Sequence, residues 1–230
     1  YAVQIYCDFS AYSDIAIGLA ALLGYYFPPN FDQPYRAQSL REFWRRWHMS
    51  LSFWLRDYLY KPLGGSRGGS WFTARNLMIT MLLGGVWHGA AWKFVIWGAL
   101  HGGALTAERY LAPTSWGRSP LARVLATVLV FHFVCFAWIF FRADSFEGVI
   151  IYLKALAEFR PGVTQLSPFT LALIALGMTL QFVSLDLVKR LLRAATVWPE
   201  WALGTLAGVG IVAISAMGPD GVAPFIYFQF

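Results

Sequence analysis

Long apolar runs alternate with short polar and basic segments along the whole chain. Runs of about twenty apolar residues are long enough to cross a bilayer as helices. They lie at residues 2–23, 121–141, 168–187 and 201–217. The stretch 76–110 is too long for one straight crossing, and its glycines favour a broken helix whose freed backbone lines a cavity. The pattern predicts an all-α, multi-pass integral membrane protein with broken or re-entrant and interfacial helices.

The region 31–75 differs from the rest because it is strongly basic. Ser39 followed three residues later by Glu42 is a capping box, which predicts a helix that starts near Leu40. Large apolar side chains then recur at helical spacing opposite a basic face as far as about Tyr60. This pattern is typical of an interfacial or partly re-entrant amphipathic helix.

Composition supports a membrane protein. The 230 residues are 58% hydrophobic and 13% charged, whereas soluble domains carry about 25% charged residues. The net charge of +6 lies mostly between apolar runs, where it indicates topology and contact with lipid headgroups and not nucleic-acid binding. We expect one membrane domain over residues 1–230. The chain starts at Tyr1, and we expect it to be a piece of a longer protein.

Four histidines are the main candidates for chemistry. His88 and His101 are 13 residues apart, which places them on nearly opposite sides of a continuous helix. His101 and His132 lie in apolar surroundings where a structural histidine is the simpler interpretation. His48 lies on the amphipathic helix beside two tryptophans. Because no His, Cys, Asp or Glu set has the spacing of a zinc site, we expect no metal.

His88 stands apart because a Trp-His-Gly step lies in the predicted broken helix. An ionisable group at membrane depth costs free energy and is a functional-site candidate by default. This cost is lower for histidine than for a permanently charged residue, because histidine can stay neutral. Gly89 lacks a side chain, which predicts room for another molecule to approach the His88 imidazole.

Several motifs appear in a fixed order along the chain. They are QIYCDFSAYSD at 4–14, FWRRWHMSLS at 43–52, LRDYLY at 55–60, PLGG at 62–65, LGGVWHGA at 83–90 and APFIYFQF at 223–230. Together they resemble the C-terminal half of a membrane-bound O-acyltransferase, and within that superfamily the alginate O-acetyltransferase-like bacterial branch. The resemblance implies that the N-terminal half of such a protein is missing from this sequence.

The resemblance implies that His88 is the catalytic histidine of the family, and that His48 occupies the second family position. We predict a substrate-binding set of Trp47, Trp87, Gly89, Arg45, Arg46 and Ser50. Arg45 and Arg46 are suited to the phosphates of a coenzyme donor, although anchoring a helix to anionic headgroups explains them equally well. No bound cofactor is expected, and acetyl-CoA is the expected donor substrate.

The predicted function is transfer of an acetyl group from a cytoplasmic thioester toward an exported polysaccharide, in the bacterial inner membrane. The expected partners are the thioester donor, the polysaccharide or a periplasmic acetyltransferase, and membrane lipids, with no nucleic acid. The enzymatic alternative is D-alanyl transfer from a carrier protein to teichoic acid. Broken helices with intramembrane polar residues also occur in transporters, and a non-enzymatic secretion scaffold is a further alternative.

Overall fold

The computed structural model describes residues 1–111, 119–158 and 166–217, which contain helices and no strand. The α-helices are α1 (Ala2–Leu22), α2 (Leu40–Arg46), α3 (Met49–Leu55), α4 (Gly69–His88), α5 (Trp92–Leu111), α6 (Pro120–Arg142), α7 (Phe146–Ala157), α8 (Pro168–Leu180), α9 (Leu185–Ala195) and α10 (Glu200–Met217). A 3₁₀ turn, Pro34–Arg36, precedes α2, and a π-helical turn, Arg56–Tyr60, follows α3. The all-α prediction is confirmed for this part of the chain. The motif at 223–230 lies outside it.

Among the described residues, two helices, α1 and α6, are long and apolar enough to cross a bilayer. They match the predicted runs at 2–23 and 121–141. The predicted crossing at 168–187 is wrong as one helix. α8 has 13 residues, about 20 Å at the α-helical rise, whereas the hydrocarbon core is about 30 Å thick. The chain turns after Leu180, and Ser184 caps α9 by accepting a hydrogen bond from the Leu187 N–H at 3.2 Å.

α4 and α5 pack backbone against backbone, and their contacting residues run in opposite order along the two helices. A Cβ added at Gly85 would lie 2.3 Å from the Phe94 carbonyl oxygen, and one at Gly98 would lie 2.4 Å from the Met81 carbonyl oxygen. Only glycine permits so close an approach, as in small-residue interfaces between membrane helices. α4 ends at His88 and α5 begins at Trp92, so the prediction of a broken helix is confirmed.

The helix predicted from Leu40 to Tyr60 is also interrupted. It begins as expected, because the Ser39 side chain accepts a hydrogen bond from the Glu42 N–H at 3.0 Å. It ends at Arg46, since Trp47 is extended and His48 has a φ of 43°. The prediction of one continuous helix is wrong for a reason that apolar periodicity does not reveal: the spacing of large side chains continues through the break.

Aromatic side chains form the centre of this part of the molecule. The buried ones include Tyr35, Phe43, Trp47, Phe94, Trp97, Trp138 and Phe141. Their rings come from the segment before α2, from α2 and the residue that follows it, and from α5 and α6. They pack mainly edge-to-face and tilted. Such contacts stabilise the packing of elements by about 0.5–1.5 kcal/mol a pair beyond burial alone.

The chain separates into two compact units. One comprises residues 1–181, and the other begins at residue 182 and contains α9 and α10. The first unit holds all the motifs of the candidate site. The expectation of a single membrane domain over 1–230 stays a prediction.

Candidate active site

His88 is the last residue of α4 and lies partly buried in a ring of aromatic side chains. Its imidazole centroid is 4.9 Å from that of Trp87, 5.1 Å from Phe141 and 5.3 Å from Trp97. These neighbours carry no charge, and surroundings of this kind favour the neutral form of an imidazole. Neutral histidine has a lone pair that accepts a proton, which is the property required of a general base.

His48 lies between α2 and α3 in the left-handed backbone conformation, with φ 43° and ψ 56°. A non-glycine residue there costs about 1 kcal/mol or more and needs support from its surroundings. Asn30 supplies it. The Asn30 carbonyl oxygen accepts from the Met49 N–H at 2.9 Å, and Asn30 Oδ1 accepts from the Ser50 N–H at 3.1 Å. The conformation of His48 is therefore fixed by a residue that precedes α2 in the sequence.

Burial lowers the pKa of the His48 imidazole to about 4, so this ring is also neutral at physiological pH. It packs edge-on against Phe9 of α1, with ring centroids 4.7 Å apart. His48 thus touches the first helix of the chain as well as the break between α2 and α3.

Trp87 connects the two histidines. Its indole is 6.1 Å from the His48 ring and 4.9 Å from the His88 ring, centroid to centroid, and 58% of the residue is exposed. The structure therefore brings His48 and His88 to the same place, and their roles in catalysis stay a prediction. An exposed indole between two neutral imidazoles offers an apolar surface beside two groups that can exchange a proton.

Gly89 has a different setting from the predicted one. A Cβ at this position would lie 2.5 Å from Cε2 of Phe94. The space above the glycine holds the Phe94 ring, which itself contacts His88 at 6.4 Å between centroids. Room for a substrate directly over Gly89 is therefore not found; the glycine lets Phe94 pack beside the histidine.

The two adjacent arginines differ in their surroundings. Arg46 forms ion pairs of 2.8 Å with Asp32 and with Glu42, so its guanidinium holds the segment before α2 in place. Arg45 is exposed and lines a cavity. The prediction that both arginines bind donor phosphates stays a prediction, and the carboxylate contacts of Arg46 give that residue a structural role.

The cavity beside Arg45 has a volume of about 360 Å³. Four arginines reach it, namely Arg41, Arg45, Arg56 and Arg109, together with Trp44, Tyr60 and the α4 residues Leu77, Thr80 and Met81. Arg56 is already bound by the Asp57 carboxylate at 2.8 Å. No ion pair among the described residues involves the other three. The sequence indicated a basic region, but not that Arg109 of α5 joins α2 at one cavity.

Trp47 and Ser50 lie beside the site in structural roles. Trp47 is buried and packs on Phe43 and Trp138 at 5.7 and 5.2 Å between centroids. Ser50 Oγ donates to Asn30 Oδ1 at 2.9 Å. Their predicted contact with substrate stays a prediction. Sequence reasoning missed Asn30, which lies outside all of the motifs described above.

The remaining histidines occupy contrasting positions. His101 of α5 is fully buried against Trp97 and Trp44, and neither ring nitrogen has a hydrogen-bond partner among the described residues. His132 of α6 is exposed, and its Nδ1 lies 2.8 Å from the Val128 carbonyl oxygen. Neither approaches Trp87 as His48 and His88 do. Within the described ranges no three His, Cys, Asp or Glu side chains converge as a metal site.

In the part of the chain that the structure describes, these features define an all-helical architecture with apolar spans and a candidate site centred on two neutral histidines. Residues 1–145 match the profile of the membrane-bound O-acyltransferase family, and the chain belongs to that family. The predicted resemblance is thereby confirmed.

The curated relatives that match this chain are named for different polymers. The chain is 54% identical over 147 residues to the probable alginate O-acetylase AlgI of Azotobacter vinelandii, which covers 64% of the chain and 29% of that protein. It is 45% identical over 157 residues to the peptidoglycan O-acetyltransferase of Helicobacter pylori, covering 68% and 30%. It is 32% identical over 166 residues to the teichoic acid D-alanyltransferase of Bacillus subtilis, covering 64% and 40%. The chain spans less than half the length of each of these proteins.

Proposed function

We propose that this chain is the catalytic part of a multi-pass inner-membrane O-acyltransferase that moves an acetyl group from a cytoplasmic thioester toward an exported polysaccharide. The observation that carries the proposal is the meeting of His48 and His88 at the exposed face of Trp87. Family membership and the names of the acetyl-transferring relatives support the reaction class.

In the proposed reaction His88 is the general base. Its neutral imidazole takes the proton from an attacking hydroxyl as the hydroxyl oxygen forms a bond to the thioester carbonyl carbon. The carbon–sulfur bond then breaks, and the departing thiolate receives that proton from His88. His48, which contacts the same indole, orients the acyl carbonyl or the hydroxyl. Since the donor supplies the reactive thioester, no further co-reactant is required.

The arginine-lined cavity is the proposed binding place of the donor. Arg41, Arg45 and Arg109 are exposed cations without carboxylate partners in the described part of the chain, and they suit phosphate groups. Met81 lines the cavity, and His88 lies seven residues later on nearly the same face of α4, about 10 Å further along the helix. The phosphates of the donor would bind at the arginines, and its thioester would extend along α4 to His88.

The acceptor follows from the relatives. Two of them are named for alginate and peptidoglycan, which are glycan polymers with free hydroxyls. We therefore propose a glycan hydroxyl as the final acceptor, reached directly or through a periplasmic acetyltransferase partner.

The test uses the full-length parent protein in detergent with radiolabelled acetyl-CoA. Thioester cleavage is measured in wild type, His88→Ala and His48→Ala, with His132→Ala as a matched control because His132 is exposed on α6. We expect His88→Ala to lower the rate by about 10²–10⁴-fold, as for loss of a general base, and His132→Ala to match wild type. Unchanged cleavage in His88→Ala protein of normal yield would contradict the proposal.

The donor site is tested by Arg45→Ala and Arg46→Ala in the same assay. Arg45→Ala should raise KM for acetyl-CoA with little effect on melting temperature, because Arg45 is exposed and has no ion pair among the described residues. Arg46→Ala should lower the melting temperature, because it leaves Asp32 and Glu42 without their cation. Equal KM in wild type and Arg45→Ala would remove the cavity from the proposal.

D-alanyl transfer to teichoic acid is the second candidate, favoured by the relative from Bacillus subtilis. It shares the histidine chemistry and differs in the donor, which would be a D-alanyl carrier protein. Cleavage of the carrier thioester but not of acetyl-CoA by the purified parent would select this candidate.

A further inference from the structure

Helix α9 in the second unit separates polar from apolar residues on opposite sides. At 100° per residue, its charged side chains fall within an arc of about 100°. These are Asp186, Lys189, Arg190 and Arg193. The other side carries Leu187, Val188, Leu191 and Leu192. A helix with so sharp a separation and a basic polar face is typical of the membrane interface.

Within the second unit, the described residues leave the apolar side of α9 exposed. Leu191 and Leu192 are 61% and 62% exposed. The helix has 11 residues, or about 16 Å of length, which is too short to cross a hydrocarbon core of about 30 Å. It begins as a separate helix, since Ser184 caps it. An apolar face of this length is suited to lie along a bilayer surface.

The charges on α9 identify the kind of surface. Three cations stand against one carboxylate on the polar side, and no ion pair among the residues described involves Lys189, Arg190 or Arg193. Long basic side chains at the edge of an apolar face reach the phosphates of lipid headgroups. Basic segments between apolar helices also favour the cytoplasmic side.

We propose that α9 is an interfacial helix that binds anionic phospholipids of the cytoplasmic leaflet. Leu187, Val188, Leu191 and Leu192 enter the boundary of the acyl chains. Lys189, Arg190 and Arg193 bind headgroup phosphates. The inference depends on membership of a membrane-bound family and not on the acyl-transfer reaction.

The experiment uses the full-length parent in lipid nanodiscs, with its native cysteines, including Cys7 and Cys135, replaced. A single cysteine carrying a fluorophore is placed at Leu191 or at Arg190, one on each side of the same helix. Quenching is measured with lipids that carry a doxyl group near the headgroup and, separately, with aqueous iodide. We expect doxyl lipid to quench the label at 191 and iodide to quench the label at 190.

The lipid class is tested by comparing phosphatidylcholine nanodiscs with discs that also contain phosphatidylglycerol. Doxyl quenching at 191 should increase with phosphatidylglycerol, increase further in Asp186→Asn, and lose this dependence in the variant Lys189→Glu, Arg190→Glu, Arg193→Glu. A label at 191 that neither quencher reaches would show a protein contact and overturn the proposal. Quenching by iodide at both positions, or no response to phosphatidylglycerol in the native-charge protein, would overturn it as well.

Discussion

At the scale of single residues, His48 combines a buried imidazole with a left-handed backbone. Asn30 holds that backbone through two hydrogen bonds. The choice of His48 and His88 as site residues was possible from sequence because the motif around each is distinctive. The left-handed conformation of His48 was not predictable. The residue that supports it lies 18 positions earlier in the chain, and no local sequence signal indicates it.

The left-handed conformation gives His48 a specific substitution pattern. Asn adopts positive φ more readily than other non-glycine residues and retains hydrogen-bonding groups. We therefore expect His48→Asn to keep more acetyl transfer than His48→Ala, at similar protein yield. Rates are measured with radiolabelled acetyl-CoA in the full-length parent. Equal losses in the two variants would mean that the imidazole itself is required at this position.

The contact between Gly89 and Phe94 predicts the effect of a larger residue. In Gly89→Leu the new side chain must displace the Phe94 ring from beside His88, and we expect activity to fall toward that of His88→Ala. The double variant Gly89→Leu, Phe94→Ala restores the space and should recover part of the rate. Full activity in Gly89→Leu would show that the position of Phe94 does not matter for the reaction.

His101 provides the contrasting case. Its ring is fully buried and neither nitrogen has a hydrogen-bond partner among the described residues, so replacement by an apolar ring should cost little. We expect His101→Phe to retain most of the activity, and His101→Ala to lose less activity than His88→Ala. Both are checked by the same assay together with the melting temperature. A folded His101→Phe without activity would assign chemistry to this imidazole.

At the scale of elements, the α4–α5 pair sets the position of His88. Glycines in a long apolar run predicted a break, and the break is present. Their second role, at the contact between the two helices, was not evident, because it depends on which residues of α5 face α4. The interruption between α2 and α3 was missed for the opposite reason: helical periodicity continues across a strained residue.

Substitutions at Gly98 and Gly103, which both lie in α5, test the contact between α4 and α5. A Cβ at Gly98 would lie 2.4 Å from the Met81 carbonyl oxygen, whereas at Gly103 the nearest atom is 3.9 Å away. Gly98→Ala should destabilise the protein by about 1–3 kcal/mol, as overpacking does, and Gly103→Ala should be tolerated. Melting temperatures in detergent provide the comparison. Equal melting temperatures in the two variants would mean that α4 and α5 do not pack through Gly98.

At the scale of the whole molecule, composition and apolar runs were sufficient to predict an all-helical membrane protein. Motif order was sufficient for the family, which the match over residues 1–145 confirms. Helix lengths were less predictable. The run at 168–187 contains both a short helix and the start of an amphipathic one. This division was not predicted, because total apolarity does not reveal where a capping serine such as Ser184 interrupts the chain.

The hydrogen bonds between Asn30 and the residues that follow His48 have a consequence for how this sequence tolerates insertions and deletions. The segment 31–39 is mostly irregular, a kind of region where natural chains usually vary in length. Here the N–H of Asp32 also donates to the carbonyl of Arg46 at 2.9 Å. The start of the segment is therefore tied to the end of α2, and the residues between them form one closed loop. Adding or removing one residue inside that loop would shift Asn30 relative to His48. The number of residues between them is therefore as much a part of the site as the histidine itself.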